Sequence, residues 1–160
     1  MGVRVRPAEK SDADLVIGLY KQFEQYLREL SPNDVIHGQL DSGTYRRDGF
    51  GVNPAFRGLV AEEGNEAVGY LLYYFGYDSE YAVRTMHLLD LYVAEKYRAR
   101  GIGLEFMRHA KAICTESNVK EVVWSVYKPN RAARSFYDKL GAKLIDDEDY
   151  MYIEVEKLNV

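Results

Sequence analysis

Cysteine is all but missing from this chain of 160 residues: Cys114 stands alone, so no disulfide closes within the chain. A domain of this length buries roughly two thirds of its unfolded surface and needs neither a disulfide nor a metal to hold it. Long apolar runs are missing too, as is a charged-then-apolar leader, which sets aside a membrane span and a secretory signal. A soluble protein of a reducing cytoplasm is the expectation. Basic residues are not in excess either: 21 Lys and Arg against 25 Asp and Glu leave a formal charge of −4, which argues against a nucleic-acid partner. Tyrosine is what the chain has in quantity, 14 residues, each with an apolar body and a polar tip suited to a core or a half-polar cleft.

The order of patterns along the chain alternates helix and strand. Val3 to Pro7 alternates apolar and polar residues and predicts a short strand; Ser11 to Asp14 opens a helix that carries Leu15, Leu19, Phe23, Tyr26 and Leu30 at spacings of three and four. Between Asn33 and Pro54 the pattern weakens, and a short helix is placed there. Phe56 to Glu63, Ala67 to Tyr77 and Thr85 to Val93 read as an antiparallel meander whose first turn is Gly64-Asn65. A helix from Gly101 to about Ser117 follows, then a short apolar strand from Val122 to Val126 that reads as buried. Asn130 caps a last helix that Gly141 closes, and Lys143 to Ile145 and Tyr150 to Val155 read as closing strands. No repeat, low-complexity stretch or linker interrupts residues 1–160, so a single α/β domain is expected.

Where the third strand of the meander ends, Arg98-Ala99-Arg100-Gly101-Ile102-Gly103-Leu104 joins it to a helix. Close glycines let backbone approach a ligand, and the first N–H groups of a helix have no partner within it, so an anion fits there. A phosphate loop needs Lys-Ser/Thr after the last glycine, where Leu104-Glu105 stands; a dinucleotide fingerprint needs a small residue at 106, where Phe106 stands. The remaining Arg-x-x-Gly-x-Gly is open to two readings, a pyrophosphate socket or a plain strand-to-helix turn.

A second patch, Asn130-x-x-Ala133-x-x-Phe136-Tyr137-x-x-x-Gly141-Ala142, follows the first, Val93-x-x-x-Tyr97-Arg98-x-x-Gly101-Ile102-Gly103. The pair resembles the GNAT superfamily of N-acetyltransferases over essentially the whole chain. Arg6-Pro7-Ala8, Asp48-Gly49-Phe50-Gly51, Leu59-Val60-Ala61-Glu62, Tyr73 to Asp78 and Asp90 to Val93 are similar to its diamine (spermidine/spermine) acetyltransferase branch. The resemblance implies a mixed, mostly antiparallel sheet of about seven strands, splayed between the fourth and fifth and flanked by about four helices. It also implies a homodimer and acetyl-CoA as cosubstrate. The pantetheine arm would meet backbone of Leu91, Tyr92 and Val93, the pyrophosphate the amides of Ala99 to Leu104 with Arg98 and Arg100 nearby, and Asn130, Ala133 and Tyr137 would complete the cofactor site.

The same resemblance makes Tyr137 the general acid for the departing thiolate. Substrate contacts fall on Tyr26, Asp78, Leu89, Asp90, Trp124 and Asp149. Diamine acetyltransferases carry a glutamate just before the strand aspartate, and this chain has Leu89, which cannot take a proton. Asp90 is then the first candidate for the base and His87 the second; strand alternation puts the two on opposite faces unless a bulge intervenes. The run Asp146-Asp147-Glu148-Asp149 reads either as a cation trap at a cleft mouth or as a solvated turn. No metal site is expected. The function these residues imply is acetyl transfer to a small primary amine; the alternatives are a CoA-binding module without turnover and acetylation of protein or peptide amines.

Overall fold

The computed structural model describes residues 2–32, 39–145, 151 and 153–158, in two compact units, residues 1–125 and residues 126–160. In the first unit β1 (Arg4–Pro7) leads through a 3-10 turn into α1 (Ala13–Leu30) and α2 (Ser42–Phe50). β2 (Arg57–Glu63), β3 (Glu66–Asp78) and β4 (Val83–Val93) form the meander, and α3 (Ile102–Glu116) carries the chain to β5 (Val119–Trp124). The strands lie in chain order, antiparallel from β1 to β4 and parallel between β4 and β5. A parallel pair cannot be joined by a hairpin, and α3 is the crossover that makes it possible.

Local chemistry explains these elements. In α1, Ala13, Val16, Ile17, Leu27 and one carboxylate, Glu24, are buried, a helical stripe laid on the sheet. Asp12, placed by its sequence as a helix-start acid, turns back instead: its carboxylate accepts from Glu9 N–H (2.6 Å) and from both terminal nitrogens of Arg6 (2.7 and 2.8 Å). Asp78 closes the β3–β4 hairpin by accepting from the N–H groups of Glu80 (2.9 Å) and Tyr81 (3.1 Å). The core is dense in aromatic rings; Tyr45, Tyr70 and Phe106 are fully buried, and Tyr73, Tyr92 and Tyr97 nearly so, which accounts for much of the tyrosine content. Cys114 is buried against Met86, its thiol pushed up by desolvation and inert as a nucleophile.

The second unit holds α4 (Arg131–Lys139) and a 3-10 turn at Val155–Lys157. Asn130 caps α4 by accepting from Ala133 N–H (3.1 Å). At the other end Gly141 adopts φ 85°, while its N–H reaches Asp138 O (3.0 Å) and that of Ala142 reaches Tyr137 O (3.1 Å), the paired bonds of a Schellman stop.

Two expectations need correction. Among the described residues the sheet has five strands, not about seven: Lys143 to Ile145 form none, nor do Met151, Ile153 and Glu154, and Tyr150 and Tyr152 lie outside the described residues. Alternating apolar residues make a strand only where a neighbouring ladder takes up their backbone groups. The strand expected as buried at Val122 to Val126 runs from Val119 to Trp124 and is half-buried, since it is the edge of the five-stranded sheet.

Candidate active site

β3 and β4 pair regularly except at one place. Leu72 stands opposite Asp90 and Tyr73 opposite Leu88, so Leu89 is an extra residue in β4, half exposed to solvent. Cross-strand partners point to the same face, and the bulge resets the alternation. Tyr92, Asp90 and His87 therefore share a face with Tyr70, Leu72 and Tyr74, whereas Met86 and Leu88 point to the other side, toward Cys114 of α3. His87 and Asp90 are thus not opposed: they are about two rungs, ~7 Å, apart along one face. His87 stacks on Tyr74 with ring centroids 4.7 Å apart, and Gly76 makes room for it, because a Cβ there would stand 2.8 Å from the imidazole.

Helix α1 covers this face. Phe23 meets Tyr92 (ring centroids 5.4 Å), and Glu24, next along the helix, is only 7% exposed. Tyr70 Oη donates to Asp90 Oδ2 (3.1 Å). Desolvation pushes the Asp90 carboxyl up to about 6, and the Tyr70 hydrogen bond opposes that rise. Burial, then the negative charge of Asp90, holds the Tyr70 phenol far above its ordinary value, so it stays a donor. Tyr20 is raised by burial and by the charges of Glu24 and Asp90 together. A carboxyl poised near neutrality, held by one phenol and seen by another, has the properties of a general base.

The other edge of β4 is open where it matters. Its pairing with β5 runs from Arg84 to Leu88, ends at Trp124, and leaves Leu89 to Val93 without a strand on that side among the described residues. Ala94 N–H reaches back to Val68 O (2.9 Å) on the β3 side, so alternation turns the N–H groups of Leu91 and Val93 toward the open edge. An extended polar chain fits such an edge. β4 then runs through Ala99 (φ 57°) and Gly101 (φ 81°) into α3, whose N-cap residue, Gly101, has no side chain to cap the first amides. Those amides, from Ile102 to Leu104, are donors of the kind that suits an anion. Both arginines of the loop are already engaged: Arg98 Nε donates to Val93 O (3.0 Å) and its guanidinium lies 4.7 Å from the Tyr26 ring, while Arg100 pairs with Glu63.

In the second unit, Asn130 is buried and Ala133 N–H is committed to it, so this asparagine serves as a helix cap. Tyr137, half-buried beside Phe136 (5.1 Å), has its phenol pushed up to about 12 by burial. Of the substrate residues, Tyr26, Leu89, Asp90 and Trp124 lie on α1, on β4 and at the end of β5. Asp78 does not join Asp90. It sits at the hairpin tip, six β3 positions beyond the partner of Asp90 and so roughly 20 Å away. Asp149 and the acidic run around it lie outside the described residues. Tyr20, Glu24 and Tyr70 are the residues that sequence reasoning passes over, and the one available signal is a glutamate on the stripe of Tyr20, Phe23 and Leu27. Among the described residues no group of three or more His, Cys, Asp or Glu side chains is placed to hold a metal, and no helix is long and apolar enough to cross a membrane.

Comparison with known proteins bears on the same residues. The model of the acetyltransferase (GNAT) family matches residues 19–142. Thialysine N-epsilon-acetyltransferase of Mus musculus is 31% identical over 164 residues, covering 96% of this chain and 92% of that protein. Spermidine/spermine N(1)-acetyltransferase-like protein 1 of Homo sapiens is 31% identical over 158 residues, which span 91% of this chain and 21% of that larger protein. Among solved structures, an integron cassette protein of V. cholerae superposes with a TM-score of 0.78 at 24% identity, covering 96% of this chain and 93% of that one, a likeness of fold.

Proposed function

Because the chain belongs to the acetyltransferase (GNAT) family, we propose that it transfers the acetyl group of acetyl-CoA to the primary amine of a small molecule. The transfer is a direct attack within a ternary complex, and residues 1–160 act as one acetyltransferase domain, since the family match runs across both units. The amine class follows the named relatives, which act on thialysine or carry the spermidine/spermine name.

Acetyl-CoA supplies a thioester, an acyl group with a good leaving sulfur. The residues present fit it: the open edge of β4 at Leu91 to Val93 suits the amide-bearing arm, and the uncapped amides at the start of α3 suit the pyrophosphate. Asn130 and Ala133 serve the cofactor as well. Arg98 acts first as a strut between the loop and Val93, and adds its charge to the phosphates from there. A β4 N–H at the open edge meets the negative charge that develops on the acetyl oxygen.

The amine nitrogen forms its bond to the acetyl carbon as the carbon–sulfur bond breaks. An alkyl ammonium, with a pKa of about 10.4, has no lone pair and gives one proton to solvent before it attacks; the amine nitrogen carries a further proton that becomes far more acidic as the new bond forms. Asp90, held near 6, takes that proton directly or through a water; His87 on the same face is the second acceptor. Tyr137 gives its proton to the departing sulfur. Burial keeps that proton on the phenol at neutral pH and raises a desolvated thiolate for the same reason.

The observation that carries this reading is Asp90, a desolvated carboxylate in the stretch of β4 from Leu89 to Val93 that has no strand on its outer side among the described residues. Its test is thiol release from acetyl-CoA with thialysine, diamines, amino acids, aminoglycosides and peptides as acceptors. Release with the small amines is expected; tight CoA binding with no release on any amine marks a CoA-binding module instead. The chain works as a homodimer in this reading, supported by the apolar residues Leu144, Ile145, Met151, Ile153 and Val155, which stand exposed in the second unit. Light scattering at a mass twice that of the chain checks it. The unpaired, buried Cys114 suits a reducing cytoplasm.

A further inference from the structure

Leu89 leaves the amine site one carboxylate short of the diamine pattern, and the structure brings in another from a different element. Glu24 lies on α1 at i+4 from Tyr20 and next to Phe23, the residue that touches Tyr92. Tyr20, one turn before it, feels the charges of both Glu24 and Asp90, so Glu24 is on the side of α1 turned toward Asp90. It is 93% buried by its 7% exposure, yet its Oε1 accepts no hydrogen bond among the described residues. Arg28, one turn on, stands 3.8 Å from that oxygen, beyond hydrogen-bonding reach, with a side chain that is more than half exposed. No basic side chain forms an ion pair with Asp90 among the described residues. Two carboxylates on one wall, one with an oxygen that accepts no hydrogen bond among the described residues and with only a half-exposed arginine 3.8 Å away, are a poor end state for a fold and a good receptor for an ammonium.

We propose that Glu24 is a substrate-binding residue: its free oxygen holds the amine as an ammonium beside Asp90, in place of the glutamate that Leu89 does not supply. Tyr20 joins the two carboxylates, since its phenol is raised by burial and by the charge of each. Labour divides accordingly. Glu24 anchors the cation and Asp90 accepts the proton, so the loss of one carboxylate acts on affinity and the loss of the other on turnover. The site selects unbranched primary ammonium groups that reach between α1 and β4, a class that includes thialysine and the diamines. The proposal rests on acetyl transfer to a small amine as the activity.

The test uses Glu24→Gln, Glu24→Asp and Arg28→Gln in the full chain, with thialysine and putrescine as acceptors. Glu24→Gln is expected to raise the amine KM at least about tenfold, with kcat within about threefold and the acetyl-CoA KM unchanged. Glu24→Asp restores part of the affinity, and Arg28→Gln leaves the amine KM within about twofold. Calorimetric binding of thialysine to the CoA-saturated protein should show the same loss for Glu24→Gln without any turnover. An amine KM and binding unchanged in Glu24→Gln overturn the role of Glu24 while acetyl transfer stands, and so does an equal loss in Arg28→Gln, which would make Glu24 merely the partner of that arginine. A wild-type protein that binds thialysine and releases no thiol overturns acetyl transfer instead, and the binding comparison then still decides Glu24; one that neither binds nor acetylates either amine overturns both.

Discussion

Tyr70 and Asp90 are diagonal neighbours across the β3–β4 pairing, two register positions apart on the same side of the sheet, and the phenol donates to the carboxylate over 3.1 Å. Tyr70 is fully buried and keeps its proton, so this bond stabilises the ionised form of Asp90 against the desolvation that disfavours it. The pH at which Asp90 can act is the balance of the two.

Tyr70→Phe removes the bond and leaves the burial, so the Asp90 carboxyl rises further above 6. The acidic limb of kcat/KM, which reports the free enzyme, should move upward by about 0.5–1 pH unit, with the alkaline limb in place. An unmoved acidic limb would show that another group receives the proton.

Asp90→Asn separates catalysis from stability. The folded carboxyl titrates near 6 and the unfolded one near 3.9, so the folded protein holds the proton more tightly; that stability is complete below about pH 4 and lost as pH rises through 6. At pH 7 the amide should therefore stabilise the fold by about 1–3 kcal/mol while turnover falls at least about tenfold. Urea unfolding at two pH values checks it: the gain at pH 7 should disappear near pH 4.

Tyr137→Phe should lower kcat at least about tenfold and leave the acetyl-CoA KM within about twofold, the pattern of a proton donor that acts only in the transition state. Unchanged turnover in steady-state assays would take Tyr137 out of the mechanism.

Gly101→Val acts through backbone strain. A Cβ at Gly101 meets nothing within 4 Å, so a side chain there does not crowd the loop, but φ is 81°, where a branched residue is strained by about 1–2 kcal/mol. The α3 amides should lose their alignment, and CoA binding measured by calorimetry should weaken by about tenfold or more. Gly101→Asn, which tolerates the left-handed region better, should weaken it less.

Asp12→Ala tests the fold away from the site. Asp12 is buried and held below its ordinary value, first by the hydrogen bonds it accepts from Arg6, whose guanidinium also pairs with Glu62. The contribution of Asp12 is complete above about pH 4 and is lost as pH falls through its lowered folded value. Removing it should cost about 2–3 kcal/mol in chemical denaturation at pH 7, less than for a fully buried pair because Arg6 reaches solvent.

Local patterns made much of this protein legible from its sequence. The existence of α1, the Asn130 cap and Gly141 stop of α4, and the glycine-opened start of α3 are decided by neighbours a few residues apart, and so they read directly from the chain, whereas the buried stripe of α1 runs through Ala13, Val16, Ile17, Glu24 and Leu27 and leaves Leu15, expected on it, half exposed. Tyr137 and the loop from Arg98 to Leu104 lie within residues 19–142, which the family model matches. Contacts between distant segments decided the rest. Whether Lys143 to Ile145 forms a strand depends on a ladder partner, and Trp124 is the last residue of β5 because β4 and β5 part there. The bulge at Leu89 brings His87 and Asp90 to one face, and the hydrogen bond that opposes the desolvation of Asp90 comes from Tyr70, 20 positions earlier in the chain. Glu24 shows the division most plainly: on paper it is one more charge on a helix, and only the packing of α1 on β4 makes it a buried carboxylate with an oxygen left over. Residue type and spacing set the chemistry that is on offer; burial, a property of the whole fold, sets which groups can exercise it.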